Sequence, residues 1–118
     1  MFHAVLRQDF VERRQAVQVI VESRRAEVAA LCQRFHVRRL ELFGSAASGP
    51  FDPARSDFDF LVEFERSPEA RPFDDYFGLK EALESLLARP VDLVMADAVA
   101  NPYLRASIER TRVTVYAS

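Results

Sequence analysis

The first third of the chain carries apolar residues at intervals of three and four, the spacing that forms one stripe along a helix. The pattern predicts a helix from Phe10 to Phe35 that could break near Ser23, and neither proline nor glycine interrupts it. The predicted stripe consists of Phe10, Val17, Ile20, Val21, Val28, Leu31 and Phe35. Such a stripe is normally buried, so we expect this helix to pack on the rest of the chain.

Four later segments have the pattern of β-strands. Arg38–Phe43 and Asp57–Phe64 alternate between two faces, whereas 91–95 (VDLVM) and 113–116 (VTVY) are short and rich in valine. In the second segment, alternation places an apolar set on one face and an acidic set on the other. The first face comprises Phe58, Phe60, Val62 and Phe64, and the second Asp57, Asp59, Leu61 and Glu63.

Three further helices are predicted between the strands. A short helix is expected over 45–48, a longer one from Phe73 to Ala88 that Pro90 ends, and a last one from Asn101-Pro102 to about Arg110. The apolar residues of the longer helix, predicted to be core, are Phe73, Tyr76, Phe77, Leu83, Leu86 and Leu87. Strands separated by helices predict an α+β fold in which helices pack on a sheet.

Length and composition are those of one globular domain. The chain has 118 residues, 49% of them hydrophobic, and we expect a single domain, 1–118, with a helical extension at 1–37 and the core at 38–116. No apolar run approaches the roughly 20 residues of a membrane helix, and MFHAVLRQDF lacks the pattern of a signal peptide. Cys32 is the one cysteine, which excludes a disulfide framework within the chain. These features predict a cytoplasmic protein with no membrane partner.

Charge is unevenly distributed along the chain. Residues 1–39 hold eight arginines and four acidic residues, whereas residues 40–118 hold eight basic and fourteen acidic residues. A basic segment can bind nucleic acid, but arginines on a helix more commonly form its solvated face. Nucleic acid is therefore not the expected partner. The helical extension could instead cover an edge of the sheet or mediate a contact between copies of the chain.

Two aspartates one residue apart, Asp57 and Asp59, are the first sign of chemistry. On a strand they point to the same face with Cα atoms roughly 6.5 Å apart, where two carboxylates repel each other unless a cation lies between them. Mg²⁺ prefers carboxylates together with substrate phosphates, and two such ions about 4 Å apart can stabilise phosphoryl transfer. Asp92, an acid within the VDLVM strand, can join the same face if that strand pairs beside the first.

Gly44-Ser45 supplies a second element of the predicted site. Glycine permits a tight turn and a close approach of the backbone to a ligand. A short helix that begins there would point N–H groups at a phosphate, and the Ser45 hydroxyl adds a donor. Either feature alone is a weak signal, but strand, Gly-Ser, loop, Asp-x-Asp strand and a later aspartate seldom occur together by chance.

The run FGSAASGPFDPARSDFDFLVEF resembles the motif of minimal nucleotidyltransferases of the DNA polymerase β superfamily. VDLV resembles the strand that carries the family's third aspartate and VTVY its closing strand, so the resemblance covers Arg38 to Tyr116. It implies a polymerase-β-like core, a mixed sheet of about four strands with helices packed on it. It further implies Mg²⁺-dependent transfer of AMP or another nucleoside monophosphate from ATP or another NTP to a hydroxyl acceptor.

The resemblance also assigns roles to residues. Asp57 and Asp59 would bind both of two Mg²⁺ ions, Asp92 would bind the catalytic ion and help deprotonate the acceptor, and Gly44 and Ser45 would hold the triphosphate. Small stand-alone members of the family often act as antitoxins of helical HEPN-domain ribonuclease toxins, so the resemblance implies AMP transfer to a tyrosine of such a toxin.

One departure from the family pattern leaves alternatives open. Ser48 stands where many relatives carry arginine, so a basic contact is missing or is supplied by Arg55. A non-catalytic antitoxin that masks its partner by contact alone is one alternative. Nucleotidyl transfer to RNA or to a small molecule is another.

Three other residues could suggest chemistry outside this motif. Cys32 lies next to Leu31 on the apolar stripe and is predicted to be core. His36 is placed at a helix end, where the helix dipole favours its protonated form. Tyr103, near the start of the last helix, could approach the site.

Overall fold

The computed structural model describes residues 20–44, 58–69 and 71–118. The predictions that concern 1–19, the short helix at 45–48, Arg55 and Asp57 lie outside these residues. Ser45 and Ser48 also lie outside the described residues.

The strands form one mixed sheet, which confirms the predicted fold class. They are β1 (Val37–Phe43), β2 (Phe58–Phe64), β3 (Val91–Met95) and β4 (Val113–Ala117). Their order across the sheet is β3-β2-β1-β4. β1 runs antiparallel to both β2 and β4, whereas β2 and β3 are parallel. The parallel pair requires a crossover, and the chain makes it with a helix.

The described helices are α1 (Arg25–Arg34), α2 (Pro72–Leu87), a 3-10 helix (Ala96–Ala98) and α3 (Pro102–Thr111). Residues 20–23 are also helical, and a turn at Arg24 separates them from α1, close to the predicted break. Proline occupies the first turn of both α2 and α3, where its missing N–H removes no intrahelical bond. The Asn101 side chain caps α3 by accepting from the N–H groups of Tyr103 and Leu104.

α1 and α2 pack against one face of the sheet and enclose the main core. This core comprises Val21, Val28, Cys32, Val37, Leu40, Leu42, Phe58, Phe60, Val62, Leu79, Leu83, Leu87, Val91, Leu93 and Val115. Cys32 is fully buried there, as its place on the apolar stripe predicted. α1 contributes Val28 and Cys32 to this core. The expected division into a helical extension at 1–37 and a core at 38–116 stays a prediction.

The prediction that Phe73 and Phe77 are core residues is wrong. Their side chains are 78% and 51% exposed. The buried residues of α2 recur every four positions, at Asp75, Leu79, Leu83 and Leu87. A residue two positions from such a stripe is rotated about 200° around the helix, which puts both phenylalanines on the opposite side. The two rings pack on each other, 5.2 Å apart between centroids.

His36 connects the end of α1 to the start of α2. It follows α1 with a positive φ of 60°, and its Nδ1 lies 3.2 Å from Asp75 Oδ2. The buried Asp75 carboxylate also accepts the N–H of Arg71. These contacts give His36 a structural role within the fold.

Candidate active site

The structure brings Asp59 and Asp92 together on adjacent strands. They are register partners in the parallel pair of β2 and β3, and neighbouring strands lie about 4.8 Å apart. Partners in a parallel ladder point to the same face, so the two carboxylates share one side of the sheet. This is the arrangement expected if the VDLVM strand pairs beside the Asp-x-Asp strand. Asp57 precedes β2 and lies outside the described residues.

The environment of the two carboxylates differs. Asp59 is 6% exposed, whereas Asp92 is exposed to solvent. On either side of Asp59, Phe58 and Phe60 are buried in the main core on the opposite face. The backbone at Asp59 is therefore held by core packing, while its side chain faces the same direction as that of Asp92.

Gly44 lies at the same end of the sheet. It directly follows Phe43, the register partner of Asp59 on β1. The Gly44 N–H donates to Thr111 Oγ1 at 3.1 Å, and the Thr111 hydroxyl donates to the Ser107 carbonyl at 2.7 Å. Because the Gly44 N–H already donates to Thr111, it is not available to a phosphate. Gly44 would contribute to phosphate binding through the path of its backbone, and the N–H donors to the phosphate would come from the residues after it.

Glu41 is a buried acid on the same face that the sequence did not single out. It is 4% exposed and lies two residues before Phe43. Its carboxylate oxygens lie 3.7 Å from Arg39 Nε and 3.6 Å from Arg112 Nε. Glu41 is diagonal to Asp59 across the β1–β2 pair, a Cα separation of about 7–8 Å. Its negative charge is thus compensated by two half-exposed guanidinium groups.

These residues could hold a divalent cation of the magnesium type. Carboxylate oxygens are the ligands that Mg²⁺ prefers, and a positive charge between two neighbouring carboxylates stabilises both of them. Within the described ranges, no three His, Cys, Asp or Glu side chains form a metal-binding group. Asp59 and Asp92 supply two carboxylates that fit the ion, and Asp57 is the predicted third.

The other candidate residues lie apart from this site. Cys32 is in the main core, and burial raises the pKa of its thiol from 9.0 to about 12, so it stays protonated at neutral pH. Tyr103 is 85% exposed at the start of α3, about 12 Å along the helix axis from Thr111 at its other end. The structure therefore does not place Tyr103 beside Gly44.

Thr111 and Arg112 also went undetected in the sequence. Both belong to a polar stretch at the end of a helix, where threonine and arginine usually face solvent. Neither residue type nor spacing indicates which strand a helix end will contact.

In the described part of the chain, no helix has both the length and the apolar character to cross a membrane.

Comparison with known proteins gives consistent results. Residues 27–115 match the family described as Nucleotidyltransferase domain. The protein adenylyltransferase MntA of Thermococcus cleftensis is 40% identical over 88 residues, covering 73% of this chain and 80% of that protein.

Two solved structures show the same fold. One, provisionally described as a minimal nucleotidyltransferase, is 36% identical with a TM-score of 0.61, covering 82% of this chain and 93% of the other. The second is a tri-AMPylated Shewanella oneidensis HEPN toxin in complex with an MNT antitoxin. It has a TM-score of 0.55 at 17% identity, covering 83% and 73% of the respective chains. At that identity, the likeness to the second concerns the fold alone.

Proposed function

The chain belongs to the nucleotidyltransferase domain family, and from that premise we propose that it transfers AMP from ATP to a hydroxyl group of a partner protein. The observation that carries the proposal is the pairing of Asp59 with Asp92 beside Gly44, at one end of the sheet. The similarity to a protein adenylyltransferase supports adenylate as the transferred group and protein as the acceptor.

The proposed reaction is a displacement at the α-phosphorus of ATP. The acceptor oxygen forms a bond to that phosphorus, the bond to the β-phosphate bridging oxygen breaks, and pyrophosphate leaves. Asp57, Asp59 and Asp92 would hold two Mg²⁺ ions, which would neutralise charge on the phosphates. Asp92, whose carboxylate is exposed, would help to deprotonate the incoming hydroxyl and accept its proton. Gly44 and Ser45 would position the triphosphate.

The proposed acceptor is a tyrosine of a HEPN-domain toxin, and the protein would act as its antitoxin. The fold shared with an MNT antitoxin supports a HEPN toxin as the partner, because that antitoxin is bound to a HEPN toxin that carries AMP. Tyrosine is the acceptor residue that the family resemblance implies. Transfer of AMP would add a charged group to the toxin surface and thereby silence it.

Transfer to protein is favoured over transfer to RNA. Arg24, Arg25 and Arg38 form ion pairs with glutamates at 3.1–3.2 Å, so these arginines belong to a surface of balanced charge. A contact-only antitoxin is the second candidate, and Ser48 favours it because many members of the family that the motif resembles carry arginine at that place.

The test uses the purified protein with Mg²⁺, ATP labelled on the α-phosphate and a lysate of its own source. One labelled protein band is expected. Asp59→Asn and Asp92→Asn should each abolish the label, whereas Asp97→Asn, which removes an exposed acid from the 3-10 helix, should leave it intact. A folded wild-type protein that labels nothing, yet neutralises a toxin, would favour the contact-only antitoxin. Labelled RNA would refute protein as the acceptor.

A further inference from the structure

The junction between α3 and β4 contacts β1 through two consecutive residues, Thr111 and Arg112. Thr111 accepts the backbone N–H of Gly44, and Arg112 pairs with the buried Glu41 carboxylate. We call these two residues the junction clamp. Its contacts fall on both sides of Phe43, the register partner of Asp59. The clamp therefore holds the part of β1 that lies beside the carboxylate pair.

The Thr111 hydroxyl is oriented by its own helix. A hydroxyl has one proton to donate, and that of Thr111 is committed to the Ser107 carbonyl one turn earlier at 2.7 Å. The oxygen lone pairs are then available to the Gly44 N–H at 3.1 Å. The result is a continuous chain of polar contacts from the last turn of α3 to the end of β1.

Gly44 depends on this contact for its place. It follows the last residue of β1, and its N–H donates to a side chain of α3. A half-buried N–H without a partner would cost free energy, so the hydroxyl selects the backbone path that keeps it in reach. That path sets the direction of the backbone at Gly44, where the chain leaves β1.

We propose that Thr111 is a positioning residue for nucleotidyl transfer, acting through the backbone of Gly44. The inference rests on the proposed function, since it assumes that the predicted Gly44-Ser45 turn holds the triphosphate of ATP near Asp59 and Asp92. Transfer requires the reacting atoms to be aligned closely, and a displacement of about 1 Å can cost on the order of a hundredfold in rate. A contact that controls where the turn begins therefore controls alignment.

Thr111→Val and Thr111→Ser form the matched pair that tests this role. Valine has nearly the shape of threonine but removes the hydroxyl, whereas serine keeps the hydroxyl and removes the methyl group. We expect Thr111→Val to lower kcat by about tenfold or more at saturating ATP. Thr111→Ser should retain kcat within about twofold, because the hydrogen-bonding group is restored.

A second readout, hydrogen exchange of the Gly44 amide measured by NMR, does not depend on activity. Thr111→Val should accelerate that exchange by about tenfold, the factor for loss of one hydrogen bond. The amides of Leu40 and Leu42 within β1 should exchange as in the wild type, which separates a local change from general destabilisation. Activity is compared well below the unfolding temperature of each variant.

The outcomes separate the clamp from the reaction itself. Unchanged Gly44 exchange in Thr111→Val would overturn the contact. Faster exchange with unchanged kcat, or an equal loss of kcat in Thr111→Ser, would overturn the positioning role while leaving the proposed function intact. A wild-type protein that transfers no nucleotide would overturn the proposed function and, with it, the catalytic consequence of the clamp.

Discussion

Leu79 and Phe77 lie two residues apart on α2, and alanine substitution of each measures which side of the helix stabilises the protein. Leu79 is fully buried in the main core, whereas Phe77 is 51% exposed. By size and hydrophobicity, phenylalanine would be the more costly residue to remove. The structure predicts the reverse, because the leucine lies on the buried stripe and the phenylalanine does not.

The expected magnitudes follow from what each side chain contacts. Leu79→Ala leaves a cavity in a packed core, which costs about 2–5 kcal/mol of unfolding free energy. Phe77→Ala loses ring contacts with Phe73 and Tyr76, at 5.2 and 5.1 Å between centroids, each worth about 0.5–1.5 kcal/mol. The higher helix propensity of alanine returns about 0.5 kcal/mol. Leu79→Ala should therefore be the more destabilising of the two substitutions.

Urea unfolding followed by far-ultraviolet circular dichroism gives both free energies. The m-value should be the same in the two variants, so that the difference in midpoint reports stability and not a change in the unfolded state. Leu79→Met is the control for the buried position and should cost less than about 1.5 kcal/mol. A loss for Phe77→Ala equal to or greater than that for Leu79→Ala would show that α2 buries its aromatic side, and the orientation described above would be wrong.

Three further predictions concern other parts of the chain. Gly78→Ala should lower the unfolding free energy by about 1–3 kcal/mol instead of raising helix stability, because an added Cβ would meet the Phe35 ring; equal or greater stability in urea would contradict this. Glu41→Gln should cost about 1 kcal/mol at low salt and less in molar salt, because its partners, Arg112 among them, are half exposed; a salt-independent loss would count against an ionic contact. Folding keeps the Cys32 thiol protonated, since its pKa of about 12 lies above the ordinary value of 9.0. The contribution of this raised pKa to the unfolding free energy is complete below pH 9 and is lost as the pH rises toward 12. The wild type should therefore lose more stability than Cys32→Ala between these pH values. Parallel plots of unfolding free energy against pH for the two proteins would refute the prediction.

Strand positions were well predicted because alternation and short valine-rich runs indicate which residues of a strand face the core. β3 was predicted with its observed bounds, and β1 and β4 each differ by one residue at one end. The pairing of Asp59 with Asp92 could be stated only as a condition, because strand order depends on contacts between distant segments. The two acids were identified, but nothing local requires their strands to be neighbours.

The orientation of α2 and the role of Glu41 were beyond sequence reasoning for different physical reasons. Hydrophobicity does not distinguish the two sides of a helix that carries apolar residues on both. The side of α2 that faces the core is identified by the close approach of Phe35 to Gly78 and by the four-residue repeat of buried positions. Glu41 has the pattern of a solvent-facing strand residue, and one of its two arginine partners, Arg112, lies far away along the chain.

The parallel pairing of β2 with β3 has a consequence for how the protein matures. The two parallel strands are joined by a crossover that contains α2, and such non-local pairing is slow compared with local contacts. A nascent or partly folded chain can thus contain β1, β2 and Asp59 while Asp92 is still distant. Catalytic competence would then appear only once the crossover has formed and β3 has paired with β2. The rate at which activity returns during refolding would then report how fast the native strand order forms. A chain with the wrong strand order would have no transferase activity.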